Sequence, residues 1–154
     1  MRYFSPSEFP EDPNKHAEPL LLNNLDSLRH SYGELIYPSP VEGALARFDS
    51  ASSDSQHFAG NGSLSRAVDW FPGGSVQKAW LFAVSSGLFG GIGIYFDTHF
   101  RGRKWPMIHT DIRDRTPALL WYRMDGSYYY FQYNEQHRQQ FFAHLKELDD
   151  GISY

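Results

Sequence analysis

Two stretches of the chain, about forty residues apart, carry histidine and aspartate side chains that are suited to binding a metal ion. The first stretch contains His57 and Asp69, and the second contains His109 with Asp111 two positions further on. Two imidazoles and one carboxylate can bind a Zn²⁺ ion and leave the fourth corner of a tetrahedral site open for water. This is the donor set that a hydrolytic zinc enzyme needs, and the rest of the chain must then bring the two stretches together.

Both stretches have the alternation of a β-strand. In the predicted strand 107–112, His109 and Asp111 lie on one side, because successive side chains of a strand face opposite sides of the sheet. In the predicted strand 67–71, Asp69 is separated from its apolar neighbours in the same way. A solvent-facing side of an antiparallel sheet would give the first pattern equally well, and a lone aspartate near a strand end is usually a turn or cap residue. The spacing alone therefore leaves a metal site and a solvated face as alternatives.

Length and composition predict one domain with a substantial core. The 154 residues fall within the usual size of a single domain, and a hydrophobic content of 41% argues against disorder for most of the chain. The formal net charge of −4, without a basic face, argues against nucleic acid as a partner. The chain has no cysteine, which excludes disulfide bonds, thiolate metal sites and a cysteine nucleophile.

The N-terminal and apolar segments predict a protein that neither inserts into a membrane nor carries an export signal. Residues 1–6 lack the apolar core of a signal peptide. The most apolar window, residues 79–95, is interrupted by glycines and does not have the character of a membrane span.

Hydrophobic periodicity predicts an α+β domain. Apolar residues at helical spacing predict a helix that begins near Leu20 and ends at a Gly33 cap, and Ser75 is placed to cap a second helix. Segment 124–127 lies between two aromatic-rich runs and predicts a hairpin. Together with a last helix after Asn134, these elements predict a small, mainly antiparallel sheet with helices packed on one side. Three polar segments are predicted to be loops: residues 11–19, 41–55 and 97–104.

Four short motifs follow one another in an order that is typical of one enzyme family. They are Ser55-Gln56-His57, Ala67-Val68-Asp69, Gly91-Ile92-Gly93-Ile94-Tyr95 and Ile108-His109-Thr110-Asp111. This order resembles the zinc DD-peptidase family of peptidoglycan carboxypeptidases and endopeptidases, and most closely the compact, phage-borne branch of that family. The resemblance covers roughly residues 1–123. It implies that residues 1–154 form a single catalytic domain with a hedgehog/DD-peptidase-like fold.

Two features depart from the family pattern. In the common form the first histidine precedes the aspartate by seven positions, whereas His57 and Asp69 are twelve positions apart. The additional residues fall in the predicted turn 60–65, where an insertion costs little. Many members carry an acidic general base three positions before the last histidine, and Pro106 occupies that position here. The identity of the base is therefore open.

Carried over to this sequence, the resemblance implies that His57, Asp69 and His109 bind Zn²⁺, with water in the fourth position. Asp111 is then expected either to deprotonate that water or to orient His109. Arg47 fits the loop arginine of the family, which is expected to polarise the substrate carbonyl or to hold a peptide carboxylate. The alternative for Arg47 is a solvated loop cation.

Other residues are weaker candidates. His99 is a rival ligand or substrate contact, although polar loop histidines are mostly solvated. The chain has no His-Glu-x-x-His motif, and Ser55 lacks the surroundings of a nucleophile elbow. Three tryptophans can line a glycan groove, although an aromatic core is the commoner explanation: Trp70, Trp105 and Trp121.

The resemblance implies a zinc metallopeptidase that hydrolyses an amide bond in bacterial peptidoglycan stem peptides or cross-links, as a phage endolysin or a virion-associated enzyme does. Its expected partner is the peptidoglycan peptide, with no nucleic acid, no membrane insertion and a monomeric state. It would be made in the host cytoplasm without a signal peptide and act in the periplasm or cell wall. One alternative is a non-catalytic peptidoglycan-binding or structural virion protein that retains the fold. Another is an adaptor domain with a solvated His/Asp face.

Overall fold

Six strands of the chain form one mixed, mostly antiparallel sheet. The computed structural model describes residues 1–151, with side chains up to residue 148. The strand order in the sheet is β1-β2-β6-β3-β7-β8, and β4 pairs with β5 in a separate hairpin. In chain order the strands are β1 (Ile36–Pro38), β2 (Ala67–Pro72), β3 (Gly91–Tyr95), β4 (His99–Phe100), β5 (Arg103–Lys104), β6 (Met107–Asp111), β7 (Leu119–Met124) and β8 (Ser127–Tyr130).

The helices begin and end where the local sequence signals place them. The predicted helix near Leu20 is confirmed, and it ends at Gly33, whose φ of 75° gives the left-handed cap. The Ser75 side chain accepts a hydrogen bond from the Lys78 N–H and caps the next long helix. No helix of the described part of the chain is both long and apolar enough to cross a bilayer. The helices are α1 (Pro13–His16), α2 (Pro19–Tyr32), α3 (Val76–Ser85) and α4 (Glu135–Gly151).

The prediction of a mainly antiparallel sheet is confirmed, and one pair of neighbours is parallel. Strands β3 and β7 run in the same direction, because the chain passes through the β4–β5 hairpin and β6 before it returns beside β3. All three predicted loops contain short elements, and the one within residues 41–55 is a 3-10 helix, Ser50–Ser52. Helix α1 lies within residues 11–19, where the Asp12 side chain accepts from the Asn14 N–H and Pro13 occupies the first helical position. The β4–β5 hairpin lies within residues 97–104.

The two faces of the sheet have different surroundings. One face is apolar and packs with residues of α2, α3 and α4 into the hydrophobic core. The strand residues of this core include Val68, Trp70, Ile92, Ile108 and Tyr122. The opposite face carries the alternate residues of the same strands, which include the candidate metal ligands. The prediction of helices on one side of the sheet therefore agrees with the packing.

Candidate metal centre

The register of β2 and β6 brings the two predicted stretches side by side. Asp69 pairs with His109, and Ala67 pairs with Asp111, in adjacent positions of the antiparallel ladder. Directly paired residues of an antiparallel sheet point to the same face. Asp69, His109 and Asp111 therefore meet on the face that the helices do not cover.

The third predicted ligand, His57, reaches this face from a loop. Its Nε2 lies 3.2 Å from His109 Nδ1 and 3.4 Å from Asp69 Oδ1, and His109 Nδ1 lies 2.9 Å from the same Asp69 oxygen. In a tetrahedral zinc site with bonds of about 2.0–2.1 Å, ligand atoms lie about 3.3 Å apart. All three side chains are buried, so the group can hold a metal ion.

The outer hydrogen bonds of the two histidines turn their lone pairs toward the centre of the group. The carbonyl oxygen of Leu45 lies 3.3 Å from His57 Nδ1, and a carboxylate oxygen of Asp111 lies 2.9 Å from His109 Nε2. Both partners are acceptors, so these outer nitrogens carry the protons of the neutral rings. The inner nitrogens then present lone pairs to the Asp69 carboxylate. Three converging lone pairs require a cation between them, either a proton or a metal ion.

The electrostatics of the group agree with this need for a positive charge. Burial alone would raise the pKa of Asp69, but His57 and His109 outweigh it and hold that pKa well below its usual range. Burial alone would lower the pKa of His109, but hydrogen bonds to Asp111 and Asp69 raise it to about 9. The metal-free group therefore stores a proton on His109 at neutral pH.

Asp111 lies behind His109 rather than in front of the cluster. It is fully buried and contacts the outer nitrogen of His109, while the Arg113 Nε and Nη2 atoms donate to its two oxygens at 2.8 and 2.6 Å. Burial alone would raise the pKa of Asp111, but His109 and Arg113 keep it well below the usual range. Of the two roles expected for Asp111, this position matches the orientation of His109.

The glycines of β3 make the space that this arrangement needs. Gly91 pairs with Asp111 and Gly93 pairs with His109. A Cβ atom at Gly91 would overlap the Asp111 carboxylate, and one at Gly93 would overlap the Trp121 indole. The Trp121 ring lies 5.1 Å from the His109 ring. The Gly-x-Gly spacing thus admits a carboxylate and an indole against the ligand strand.

A loop of residues 43–47 positions His57. The Arg47 N–H donates to the His57 carbonyl at 2.8 Å, and the Leu45 carbonyl contacts the His57 ring as described above. Glu11 holds this loop from outside, because its carboxylate accepts from the N–H groups of Gly43, Leu45 and Ala46 at 2.6, 3.2 and 3.0 Å. Glu11 lies in the predicted loop 11–19, and no local sequence pattern marks its contact with residues 43–46.

The longer spacing between His57 and Asp69 is absorbed by an exposed turn. The Arg66 N–H donates to the Gln56 carbonyl at 2.8 Å, and this hydrogen bond joins the two ends of the turn. Asn61 and Gly62 have φ of 53° and 81° at its tip, and residues 61–64 are exposed. The additional residues therefore leave His57 beside Asp69.

Two cavities flank the cluster. The first, which we call the Arg123 cavity, has a volume of about 280 Å³ and is lined by Asp69, His99 and Arg123 among others. The second, the His57 cavity, has a volume of about 260 Å³ and is lined by His57, His109 and Trp121 among others. Three residues line both cavities and separate them: Arg47, Tyr95 and Tyr128.

The remaining sequence candidates fall into separate places. Arg47 is half-buried and its Nε donates to the Gly43 carbonyl at 3.1 Å, so it is not a freely solvated cation. His99 lines the Arg123 cavity but is exposed and lies outside the ligand group. Trp70 and Trp105 are buried and line neither cavity, and of the three tryptophans only Trp121 borders the site.

Comparison of the chain with protein-family models, with curated proteins and with solved structures finds no match.

Proposed function

We propose that the protein is a zinc-dependent peptidase that hydrolyses an amide bond in peptidoglycan stem peptides or cross-links, in the manner of a phage lytic enzyme. The observation that carries the proposal is the convergence of the His57, His109 and Asp69 lone pairs between two cavities that open to solvent. Asp69 lines one of these cavities, and His57 and His109 line the other. The choice of peptidoglycan as substrate rests on the order of the four motifs.

Zinc fits the donor set better than calcium or magnesium does. Two imidazole nitrogens and one carboxylate oxygen are typical of catalytic zinc sites, whereas calcium and magnesium prefer sets made of oxygen. The distances of 2.9–3.4 Å between ligand atoms suit tetrahedral geometry. When bound, zinc would supply an acidified water and polarise the amide carbonyl.

Residues around the cluster have separable roles in this proposal. Asp111 fixes the ring of His109 and raises its basicity as a ligand, since it accepts from the outer nitrogen. Arg47 borders both cavities, and its guanidinium can donate to the carbonyl oxygen of a peptide that spans them. His57 and Asp69 complete the ligand group.

A second candidate function, binding of peptidoglycan without hydrolysis, is favoured by the kind of carboxylates that line the two cavities. Among described residues that line the two cavities, the acidic ones are Glu42, Asp54 and Asp69. Glu42 and Asp54 are exposed, and Pro106 stands where many DD-peptidases have their base. A protein of this fold without an effective base would bind peptidoglycan and its metal ion without turning it over.

One experiment distinguishes the two functions. The purified protein is loaded with Zn²⁺, its metal content is measured, and it is incubated with purified peptidoglycan whose muropeptides are then analysed by mass spectrometry. Hydrolysis is expected to add the mass of one water and to expose a new amine, and Asp69→Ala is expected to do neither. One zinc per chain with cosedimentation but no new muropeptides would establish the binding function instead. Failure to bind zinc would contradict both.

A further inference from the structure

We propose that the hydroxyl of Tyr95 donates a hydrogen bond to the scissile carbonyl oxygen as that oxygen becomes negatively charged. This inference rests on the proposed function and adds a catalytic residue to it. Its basis is the position of Tyr95 at the end of β3, on the ridge between the two cavities.

Tyr95 stands on the face of the sheet that carries the ligands. It follows Gly91 and Gly93 at alternate positions of β3, so its side chain projects on the same side as theirs. The Asp111 carboxylate and the Trp121 indole occupy the space above the two glycines, and Tyr95 is the first residue in this row with a side chain of its own. It borders the Arg123 cavity together with Asp69, and the His57 cavity together with His57 and His109.

The ring of Tyr95 is held from several sides. The Arg123 guanidinium lies over it at 4.5 Å from the ring centroid, and Asp97 fixes that guanidinium through a contact of 2.8 Å. The Tyr128 ring meets it edge-on at 6.1 Å. A donor that is already positioned before reaction costs no reorganisation when charge develops, and this is the condition for effective oxyanion stabilisation.

The phenol is a donor rather than a base in this site. Burial and the charge of Asp69 raise the pKa of Tyr95, while the Trp121 N–H acts on it in the opposite direction. A protonated phenol carries one hydroxyl hydrogen that it can donate to an acceptor. A carbonyl of a peptide that spans both cavities offers such an acceptor, and Arg47 lines the same two cavities.

The test compares Tyr95→Phe with Tyr130→Phe. Both changes remove one hydroxyl and keep the ring, but Tyr130 is exposed and lines neither cavity. Four quantities are measured for each variant: zinc affinity, kcat on a muropeptide, affinity for the cleaved peptide, and affinity for a phosphinate peptide whose charged oxygen takes the place of the oxyanion. The affinity for the cleaved peptide serves as the ground-state reference.

Tyr95→Phe is expected to lower kcat and the phosphinate affinity by about 100-fold, the usual effect of removing one oxyanion donor. For Tyr95→Phe, zinc affinity and affinity for the cleaved peptide should stay within about 3-fold of wild type, whereas loss of a purely structural tyrosine would lower all the measured quantities together. For Tyr130→Phe, every value should stay within about 3-fold of wild type. The inference is overturned if Tyr95→Phe matches wild type, or if it loses zinc and product binding in the same proportion. If wild-type protein binds zinc but neither cleaves muropeptides nor binds the phosphinate, the proposed function itself fails.

Discussion

The two halves of the metal cluster are held by different kinds of structure. Asp69 and His109 stand on neighbouring strands at the centre of the sheet, where the ladder fixes their relative position. His57 belongs to a loop whose links to the rest of the site are single hydrogen bonds. The strand half, Asp69 and His109, is therefore part of the folded core. The loop half, His57, belongs to a segment that can vary in length without disturbing that core.

The outer support of each histidine shows the same difference. The outer nitrogen of His109 meets the Asp111 side chain, which Arg113 holds in turn. The outer nitrogen of His57 meets a backbone carbonyl, that of Leu45, and Glu11 holds the surrounding loop. A point mutation can thus remove the support of His109 directly, but it can reach the support of His57 only through the loop.

The largest expected difference is in the free energy of unfolding of the metal-free protein, between the variants His109→Ala and His57→Ala. His109→Ala leaves Asp69 and Asp111 with their shared buried partner removed, and breaking a buried ion pair costs about 3 kcal/mol or more. His57→Ala loses the hydrogen bond to the Leu45 carbonyl and the contact with Asp69, but His109 remains against that carboxylate, so we expect a smaller loss of about 2 kcal/mol. Urea unfolding at pH 7 in the presence of a chelator measures both.

Both variants should lose the zinc site, so zinc affinity provides the internal control for this pair. Equal losses of unfolding free energy in the two variants would contradict the distinction between a strand half and a loop half.

The strand half could be predicted from hydrophobic alternation, whereas His57 could be predicted only from the order of the four motifs. Alternation in strand 107–112 placed His109 and Asp111 on one side, and alternation in strand 67–71 separated Asp69 from its apolar neighbours, because the period of two is a local property of each strand. The parallel pairing of β3 with β7 could not be predicted from local sequence, because it depends on which strand β7 lies beside after the chain has passed through β6. The orientation of Asp111 was similarly open, because its backbone position allowed contact with either side of the His109 ring.

Glu11→Ala tests whether the loop half depends on a single distant carboxylate. The three N–H groups that donate to the Glu11 carboxylate belong to buried residues, and the substitution would leave them without this acceptor. We expect a loss of about 2 kcal/mol in unfolding free energy, together with weaker zinc binding through a displaced His57. Circular dichroism during urea titration and zinc competition with a chromophoric chelator measure the two effects.

The matched control is Glu18→Ala, because Glu18 lies in the same segment and its side chain makes no cap hydrogen bond to α2. Little change in unfolding free energy or zinc affinity is expected for Glu18→Ala. If Glu11→Ala leaves zinc affinity at the wild-type value, the loop does not transmit its position to His57. The sequence offered no indication of this contact, because a carboxylate that meets N–H groups more than 30 residues away has no periodic pattern.

Asp111→Asn separates an orienting role from that of a general base. An asparagine oxygen can still accept from His109 Nε2, but it no longer carries the charge that favours the ring as a ligand. Loss of such a partner typically lowers metal affinity by about 10–100-fold. Turnover measured over a range of zinc concentrations should then recover as the site saturates. Turnover that stays low in fully loaded protein would instead identify Asp111 as the base, despite its place behind His109.

The smallest effect that we expect is the release of a proton on zinc binding. In the metal-free protein the pKa of His109 is raised from 6.5 to about 9, so its proton stabilises the fold most below pH 6.5 and this contribution is lost as the pH rises through 9. Zinc must displace that proton from Nδ1, so its apparent affinity should rise by about tenfold per pH unit over the same range and level off above it. Calorimetric titrations at pH 7 in buffers with different ionisation enthalpies should therefore show about one proton released per zinc bound. The proton belongs to the strand half, so Asp111→Asn should reduce the release, whereas Glu11→Ala should leave it unchanged. A binding enthalpy that is independent of the buffer would show that His109 is already neutral.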